Sequence, residues 1–347
     1  MKISEINSQL ARKADLSSSE VRFVMDEILN GRASDDEIKG FLIGLKEKGE
    51  RAEEVLSLVD SLYQHASLVE IPDRAVDIVG TGGDGFNTIN ISTSAAILIT
   101  ASGGRVVKHG NRAASSASGA ADFLEALGIN INLDGKQLAE CVRKIGIGFA
   151  FAPKFHPAMR YAASARKSLG FPTVFNILGP LANPARPKAV AIGVARLEMF
   201  ELVAKVLAAR GCEGFVFRGD DGLDEISIAG PSSVYQVRDG GYQLFSFDPR
   251  NIGIELEPLS AIRGGDAKFN VEVTKSVFSG KLGAAREAIL LNAALGIAAF
   301  KGDFNLPLET QIANGYVLAK AGIDSGRALE LIQRWRDLSN ELAKSSL

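Results

Sequence analysis

The chain has 347 residues, 46% of them hydrophobic and 23% charged, with a formal net charge of −2. These values predict a folded protein of two domains, or one large α/β unit with an appended piece, and exclude a nucleic-acid-binding surface, which needs a basic stripe. The two cysteines, Cys141 and Cys212, lie far apart and outside any C-x-x-C motif, which excludes a disulfide framework and a zinc site.

The sequence predicts neither membrane insertion nor secretion. The run from Ala288 to Phe300 is apolar apart from Asn292, and it is too short to span a bilayer. The first six residues carry no apolar signal region. We therefore expect a cytoplasmic protein that binds neither membranes nor nucleic acids.

The first 65 or so residues predict a helical unit. Ser17 with Glu20, and Ser34 with Glu37, form capping boxes, and each opens an amphipathic run. A further helix is predicted over about 52–65. Such short helices bury little apolar surface by themselves. We expect their apolar faces to pack on each other and on a partner chain, which predicts a homodimer through this region.

From Ala75 onward, short β-branched runs alternate with helical stretches, a pattern typical of a parallel sheet. The predicted strands are 75–79, 105–108, 147–151, 189–194 and 214–217. The predicted helices are 92–102, 119–127, 136–144, 157–169, 197–210, 283–301, 307–322 and 325–344. The segment 226–275, rich in Gly, Pro, Val and Phe, predicts antiparallel strands at the sheet edge, and 176–184 predicts a rigid connector.

The predicted fold class is therefore α/β, with a small N-terminal helical domain and a large α/β domain whose central sheet is mostly parallel. The helical domain is expected over 1–70, joined by helices that return within about 155–185. The α/β domain is expected over 71–347.

Two phosphate-binding turns follow the first two predicted strands. The first is Gly80-Thr-Gly-Gly-Asp-Gly85, followed by Asn90-Ile-Ser-Thr93, and the second is Lys108-His-Gly-Asn-Arg112. Glycines let the backbone approach an anion closely, while N–H groups, hydroxyls and basic side chains bind its oxygens. Since ligands bind at the carboxyl ends of parallel strands, the two turns together predict a ligand with several phosphate groups.

A nicotinamide dinucleotide is the alternative ligand, because Gly80, Gly82 and Gly85 match G-x-G-x-x-G after a strand. That fold needs a helix directly after the glycines and an acid about 20 residues on. Here residues 86–90 continue as polar loop, and the next strand ends in Lys108 instead of an acid. The context of the motif therefore disfavours a nicotinamide site.

Adjacent carboxylates occur at Asp224 and Glu225, on a loop after the strand at 214–217. Such a pair can hold hydrated Mg²⁺, which takes one or two carboxylates together with substrate phosphates. The alternative is a solvated acidic turn. The phosphate-binding turns favour the metal site, because polyphosphate ligands bind with Mg²⁺.

His156 and Arg166 are the other candidates for a ligand role. His156 precedes a proline that opens a helix, where it is either a general base or, more commonly, a structural histidine. Arg166, on the same predicted helix, can pair with a carboxylate ligand or be a surface charge. With three histidines and no G-x-S-x-G motif, a Ser-His-Asp hydrolase has no support.

Six motifs occur in one order and at close spacing: Gly80–Gly85, Asn90–Thr93, Lys108–Asn111, His156–Met159, Phe175–Leu181 and Gly222–Ser227. In these motifs, and from the N-terminal helices to near the C-terminus, the chain closely resembles the anthranilate phosphoribosyltransferases of tryptophan biosynthesis. The resemblance implies a fold like that of pyrimidine nucleoside phosphorylases, with a small helical domain that forms a homodimer contact. It also implies the substrates anthranilate and 5-phosphoribosyl 1-diphosphate (PRPP) and two Mg²⁺ ions per subunit.

The resemblance further implies the roles of individual residues. Gly80, Asn111 and Arg166 would contact anthranilate. Ser92 would bind one Mg²⁺, and Asp224 with Glu225 the other. Lys108 and Arg166 would be catalytic. The implied PRPP contacts are Gly80, Gly83, Asp84, Thr88, Asn90, Ile91, Ser92, Thr93, Lys108, His109, Gly110, Asn111, Arg112, Ala113, Ala114, Ser115, Ser116 and Ala120.

The chain departs from the family pattern at four places. Ser164 and Pro172 stand where the family usually has Pro and Arg, Ala120 replaces a frequent Ser, and a common His is absent around Phe217-Arg218. Two alternatives stay open: a pyrimidine nucleoside phosphorylase, whose phosphate loop resembles Lys-His-Ser-Thr-Gly-Gly, and a PRPP-binding regulatory paralogue without turnover.

Overall fold

The structure, a computed structural model, describes residues 1–71, 73–113 and 116–344. Ala114 and Ser115, two of the predicted PRPP contacts, lie outside the described residues. Within these ranges, none of the helices combines the length and apolar character that a membrane span requires. The two thiols, Cys141 and Cys212, are free and buried.

Four helices open the chain, and both predicted capping boxes are present. Ser17 Oγ accepts from Glu20 N–H (3.3 Å), while Glu20 accepts from Ser17 N–H (2.7 Å), and Ser34 with Glu37 repeats this arrangement. The apolar faces pack on each other and on helices from residues 162–208. The four helices are α1 (Ile3–Ala11), α2 (Ser18–Leu29), α3 (Asp35–Lys48) and α4 (Ala52–Gln64).

Seven strands in the described part of the chain form one sheet, in the order β3-β2-β1-β4-β5-β6-β7. The first five are parallel, and the last two pair antiparallel at one edge, as predicted. The strands are β1 (Val76–Gly80), β2 (Val106–Gly110), β3 (Ile147–Phe151), β4 (Ala189–Gly193), β5 (Glu213–Gly219), β6 (Ser232–Arg238) and β7 (Gly241–Phe247).

Helices cover both faces of the sheet, so its strands are apolar on both sides. In β4, Ala189 and Ala191 belong to one core, while Val190 and Ile192 belong to the core shared with α1–α4. These helices are α5 (Ile91–Ala101), α6 (Ala120–Ala126), α7 (Gly135–Ile145), α8 (Ala152–Phe155), α9 (Ala163–Leu169), α10 (Phe175–Leu181), α11 (Leu197–Ala209), α12 (Ala267–Phe278), α13 (Ala284–Lys301), α14 (Leu308–Asp324) and α15 (Arg327–Lys344).

The predicted fold class is confirmed, with three local differences. The predicted edge strands end with β7, and the rest of 226–275 holds two 3₁₀ helices, Pro249–Ile252 and Leu259–Ile262, followed by α12. The predicted helix 157–169 begins as a 3₁₀ turn, Pro157–Ala162, before α9. The predicted connector 176–184 is partly helical, because α10 accommodates Pro180 in its last turn.

Candidate active site

Three loops meet at the carboxyl ends of neighbouring strands. The first phosphate turn follows β1 and leads into α5, the second follows β2, and the loop carrying Asp224 and Glu225 follows β5. Since β1 lies between β2 and β4, and β4 borders β5, the sheet order brings the three loops together. The predicted convergence of the phosphate turns is therefore present.

Asp224 is buried against the first turn. Its Oδ2 accepts a hydrogen bond from Gly82 N–H at 2.6 Å. A Cβ at Gly80 would lie 2.2 Å from this oxygen, so only glycine permits the contact. The first glycine of the turn thus lets a carboxylate from the loop after β5 reach the phosphate-binding turn.

Glu225 is buried beside the start of α5. Its Oε1 accepts from Ser92 N–H at 3.1 Å, whereas its Oε2 is buried without a hydrogen-bond partner. The next residue, Ile226, is held by Asn292 of α13, which accepts from Ile226 N–H (2.9 Å) and donates to its carbonyl oxygen (3.2 Å). An orphaned buried carboxylate oxygen is costly, so this position calls for a cation or a donor.

Lys108 lies under the same loops and is only 1% exposed. Its Nζ donates to the carbonyl oxygen of Ile78 (2.6 Å) and to Ser92 Oγ (3.3 Å). Burial lowers the pKa of its ammonium group, and the nearby carboxylates of Asp77, Glu225 and Asp224 oppose that shift. The ammonium group is thus aimed at the start of α5.

The two acids of the β5 loop share an environment that disfavours their negative charge. Burial, and next the neighbouring carboxylate of Asp84, raise the pKa of Asp224 to about 7. Burial and the charge of Asp224 raise the pKa of Glu225 well above its usual value. A bound cation would relieve both effects, because an opposite charge favours the ionised form.

The donor set fits Mg²⁺ bound together with a phosphate ligand. Among the residues that the structure describes, no group of three or more His, Cys, Asp or Glu is arranged to hold a metal. The acid pair and the Ser92 hydroxyl each supply too few ligands for an ion, so oxygens from the ligand and water would have to complete each shell, as Mg²⁺ commonly requires.

Hydrogen bonds also hold the remaining predicted contact residues of the first turn. Asp84 Oδ1 accepts from Phe86 N–H (3.1 Å), and the Asn90 side chain donates to the carbonyl oxygen of Ser118 (3.1 Å). The backbone of Thr88 forms an isolated antiparallel β-bridge with that of Arg263. Gly83 is exposed, whereas Ile91 and Thr93 are buried in α5. The turn is therefore fixed both at its start, where Gly82 N–H donates to Asp224, and at its exit, close to α5.

The second turn is held by acids of α6. Arg112 donates to Asp122 (2.9 Å) and to Glu125 (2.5 Å), and Asp122 also accepts from Ala113 N–H (3.0 Å). The Arg112 guanidinium would have to exchange these carboxylates for a phosphate. Three further predicted contacts, Gly110, Ser116 and Ala120, lie along the described part of this turn.

In α9, Arg166 is half-buried, with its guanidinium carbon 5.7 Å from the centre of the Phe175 ring. Burial lowers its pKa, and no carboxylate in the described ranges forms an ion pair with it. Asn111 is exposed and accepts from Arg112 N–H (2.7 Å). A partly desolvated arginine without an acidic partner suits an anionic ligand.

His109 and His156 pack together, with ring centroids 5.3 Å apart. Each ring donates to one carbonyl oxygen: His109 Nδ1–H to Gly179 (2.8 Å) and His156 Nε2–H to Ala182 (2.7 Å). Their other ring nitrogens are buried without a partner. These bonds favour the structural interpretation of His156.

Acid is expected to destabilise the protein through His109. Burial, and next His156, lower the pKa of His109 to about 3, whereas an unfolded histidine titrates near 6.5. Between these values the unfolded chain binds more protons, so stability falls as pH falls, by about 2 kcal/mol at pH 5. His109→Asn keeps a donor for the carbonyl oxygen of Gly179. Between pH 7 and pH 5, the thermal unfolding midpoint of this variant should fall by less than that of the wild type. An identical pH profile would contradict this assignment.

Three of the four departures from the family pattern form specific contacts. Ser164 Oγ donates to Asp35 of α3 (2.5 Å), which ties the helix of Arg166 to the N-terminal helices. The carbonyl oxygen of Pro172 accepts from Arg196 (3.4 Å), and Arg218 donates to the carbonyl oxygen of Ala195 (2.9 Å). Ser164 therefore contacts the N-terminal helices, whereas Pro172 and Arg218 contact the segment that follows β4.

Sequence reasoning missed the buried polar residues beneath the site. Asp77 accepts from His109 N–H (3.2 Å) and from Asn183 (2.8 Å), and burial raises its pKa to about 6. Asn292 holds the residue after Glu225. Both stand out in sequence as single polar residues within apolar runs, which is the signal that could have found them.

Comparison with known proteins agrees with this architecture. Residues 72–329 match the glycosyl transferase family a/b domain, and residues 4–66 match the helical bundle domain of the same family. An anthranilate phosphoribosyltransferase from Rhodococcus jostii (strain RHA1) is 52% identical over 331 residues, covering 95% of this chain and 91% of the relative.

Solved structures give the same result. The anthranilate phosphoribosyltransferase of Thermus thermophilus superposes with a TM-score of 0.89 at 35% identity, covering 96% of this chain and 99% of that one. The Saccharomyces cerevisiae enzyme in complex with PRPP and Mg superposes with a TM-score of 0.87 at 29% identity, covering 98% of both chains.

The fold and the site thus define a glycosyl transferase built from a helical bundle and an α/β domain. At these identities and coverages the chain belongs to the anthranilate phosphoribosyltransferase family. The resemblance drawn from the six motifs is confirmed, as is the predicted enzyme class.

Proposed function

We propose that this protein transfers the phosphoribosyl group of PRPP to the amine of anthranilate, giving N-(5-phosphoribosyl)anthranilate and diphosphate in tryptophan biosynthesis. The observation that carries the proposal is the meeting of Lys108, Ser92, Asp224 and Glu225 between two phosphate turns. Family membership supports it, since relatives of this name cover nearly the whole chain.

The chain's own residues would act mainly on the leaving group. As diphosphate departs, C1 of the ribose becomes oxocarbenium-like, and negative charge accumulates on the diphosphate. Lys108 and the backbone N–H groups at the start of α5 are fixed before reaction, so they can stabilise that charge without reorganising.

We propose that Mg²⁺ binds at Asp224 and Glu225, and that Ser92 holds a second ion. The raised pKa values of the two acids and the orphaned Glu225 oxygen support the first site. When bound, Mg²⁺ would neutralise part of the diphosphate charge. The complex of the Saccharomyces cerevisiae relative with PRPP and Mg supports the use of this metal.

The acceptor would lie on the other side of the turns, with its carboxylate on Arg166 and its ring oriented by Gly80 and Asn111. The anthranilate amine is aromatic and uncharged at pH 7, so it needs orientation more than deprotonation. Holding it near C1 turns an encounter between two molecules into a positioned attack.

Arg166→Ala is expected to raise the KM for anthranilate roughly tenfold to a hundredfold, because a buried arginine–carboxylate bond contributes about 1.5–3 kcal/mol. The KM for PRPP should change little, since its proposed contacts lie on other loops. Lys167→Ala, which removes the neighbouring exposed charge, is the matched control for steady-state kinetics. An equal rise in both KM values would make Arg166 a structural residue of α9.

Product analysis tests the proposed reaction against its alternatives. Anthranilate, PRPP and Mg²⁺ should yield N-(5-phosphoribosyl)anthranilate and diphosphate in equal amounts, as measured by mass spectrometry and a diphosphate assay. Phosphorolysis of thymidine or uridine in place of this reaction would indicate a nucleoside phosphorylase. PRPP binding without any product would indicate a regulatory paralogue.

We also propose a homodimer through the helical domain, with residues 1–70 and the returning helices of about 155–185 as one unit and 71–347 as the catalytic unit. Within one chain, α1–α4 already bury most of their apolar side chains. The partner contact would therefore use their outer, more polar faces. Sedimentation at micromolar concentration should show about twice the mass of one chain, and a monomer would count against this proposal.

We propose that the protein acts in the cytoplasm. A reducing compartment suits a chain whose two thiols, Cys141 and Cys212, are both free and buried. The proposed substrates are small phosphorylated and aromatic acids, for which neither a nucleic-acid nor a membrane surface is needed.

A further inference from the structure

A segment without a predicted role, Ile262–Gly265, lies against the first phosphate turn. Ile89 N–H donates to the carbonyl oxygen of Ile262 (3.0 Å), and Gly264 N–H donates to that of Asn87 (2.8 Å). A Cβ at Gly264 would lie 2.4 Å from the carbonyl oxygen of Thr88, so glycine is needed for this approach. The segment therefore pairs with the exit of the turn as a short antiparallel ladder.

The segment continues into α12, where Asn270 is almost completely buried. Its Nδ2 donates to Asn90 Oδ1 (2.8 Å), and its Oδ1 accepts from Gly265 N–H (2.9 Å). Asn90 in turn donates to the carbonyl oxygen of Ser118, beyond the second turn (3.1 Å). One chain of amide groups thus connects α12 with both phosphate-binding loops.

Asn90 occupies the N-cap position of α5 but does not cap it. An N-cap asparagine normally accepts a hydrogen bond from the N–H of the second or third helical residue, here Ser92 or Thr93. Ser92 N–H already donates to Glu225 Oε1 (3.1 Å), so Thr93 N–H is the one that Asn90 could take. The same N–H groups are those with which a helix N-terminus binds phosphate. A self-capped α5 would therefore compete with its own ligand.

We propose that Asn270 is a positioning residue that holds the Asn90 side chain away from the N-terminus of α5 and ties the two phosphate turns together. Its bond to Asn90 Oδ1 occupies the acceptor that would otherwise cap the helix. The Thr93 amide of α5 then stays available to the diphosphate of PRPP. This inference rests on the proposed function for the identity of the ligand.

The test compares wild type with Asn270→Ala and Asn270→Asp. Aspartate keeps the acceptor for Gly265 N–H but cannot donate to Asn90, so both variants should leave Asn90 Oδ1 without its donor and free to cap α5. Calorimetric titration with PRPP and Mg²⁺ should show binding weakened roughly five- to tenfold, the factor that one competing N-cap bond is worth. The KM for anthranilate should stay unchanged.

Hydrogen exchange of the ligand-free proteins gives an independent measure. Both variants should exchange the Thr93 amide more slowly than wild type, because a freed Asn90 accepts from it. Gln311→Ala is the matched control, since Gln311 is a buried amide of α14 that bonds Gln236 (3.0 Å) and Leu306 instead of the site. It should lower the thermal midpoint without changing PRPP affinity or Thr93 exchange.

Unchanged PRPP affinity in both Asn270 variants, with Thr93 exchange as in wild type, would overturn the inference, whatever their thermal midpoints. If the wild type itself failed to bind PRPP, the proposed function would fall. Slower Thr93 exchange in the variants would still support the role of Asn270, so the two failures are distinguishable.

Discussion

Replacing Asp224 with Asn and Glu225 with Gln together is expected to lower kcat/KM roughly 10²- to 10³-fold at millimolar Mg²⁺. The amides keep the shape and the hydrogen bonds from Gly82 and Ser92 but remove the charges that would hold the metal. Because those charges are unfavourable in the metal-free site, the variant should be at least as stable as wild type without metal.

Raising Mg²⁺ should restore part of the lost activity of this double variant, since the ligand's phosphates still bring metal to the site. Asp220→Asn is the matched control, because Asp220 is an exposed acid of the same loop that accepts from Ser233 (3.0 Å). The control should behave as wild type. Full activity of the double variant at low Mg²⁺ would mean that this buried acid pair does not hold the metal.

Lys108→Met is expected to lower kcat about 10²- to 10³-fold and to raise the KM for PRPP, with little change in the KM for anthranilate. Methionine fills the volume of the stem but removes the ammonium group that reaches Ser92 and the carbonyl oxygen of Ile78. The loss should therefore appear in kcat and in the KM for PRPP, whereas Arg166→Ala should change the KM for anthranilate.

A second buried lysine provides the control for Lys108→Met. The Lys48 side chain is also nearly inaccessible and pairs with Glu54 (2.9 Å) in the helical domain, away from the phosphate turns. Lys48→Met should lower the thermal midpoint and leave both KM values unchanged. If Lys108→Met changed stability only, in the same way, Lys108 would be a structural residue.

The parallel strands were predictable because each is a short apolar, β-branched run, and their order placed both phosphate turns at one edge. Helix α12 was not predictable, because its residues Val271, Val273, Thr274 and Val277 favour a strand. In the folded chain, tertiary packing overrides the strand propensity of this helix. Its start is set by Asp266, whose side chain accepts from Phe269 N–H (2.8 Å), a local cap visible in the sequence.

The residues that meet at the two turns, Lys108, Ser92, Asp224 and Glu225, were predictable from motifs, but the residues that support them were not. Asn270 and Asn90 are 180 residues apart, and Asn292 and Ile226 are 66 apart, so only the folded chain brings them together. The same holds for Arg112, which the turn before α6 brings onto Glu125. Long-range hydrogen bonds of this kind leave no spacing pattern in a single sequence.

Anthranilate fluorescence provides the most direct measurement of the central claim. When purified protein is mixed with anthranilate, PRPP and Mg²⁺, the fluorescence of anthranilate should fall as the substrate is consumed. Omission of PRPP or an excess of chelator should prevent this fall. Equal consumption in excess chelator, or none with all three components present, would contradict the account.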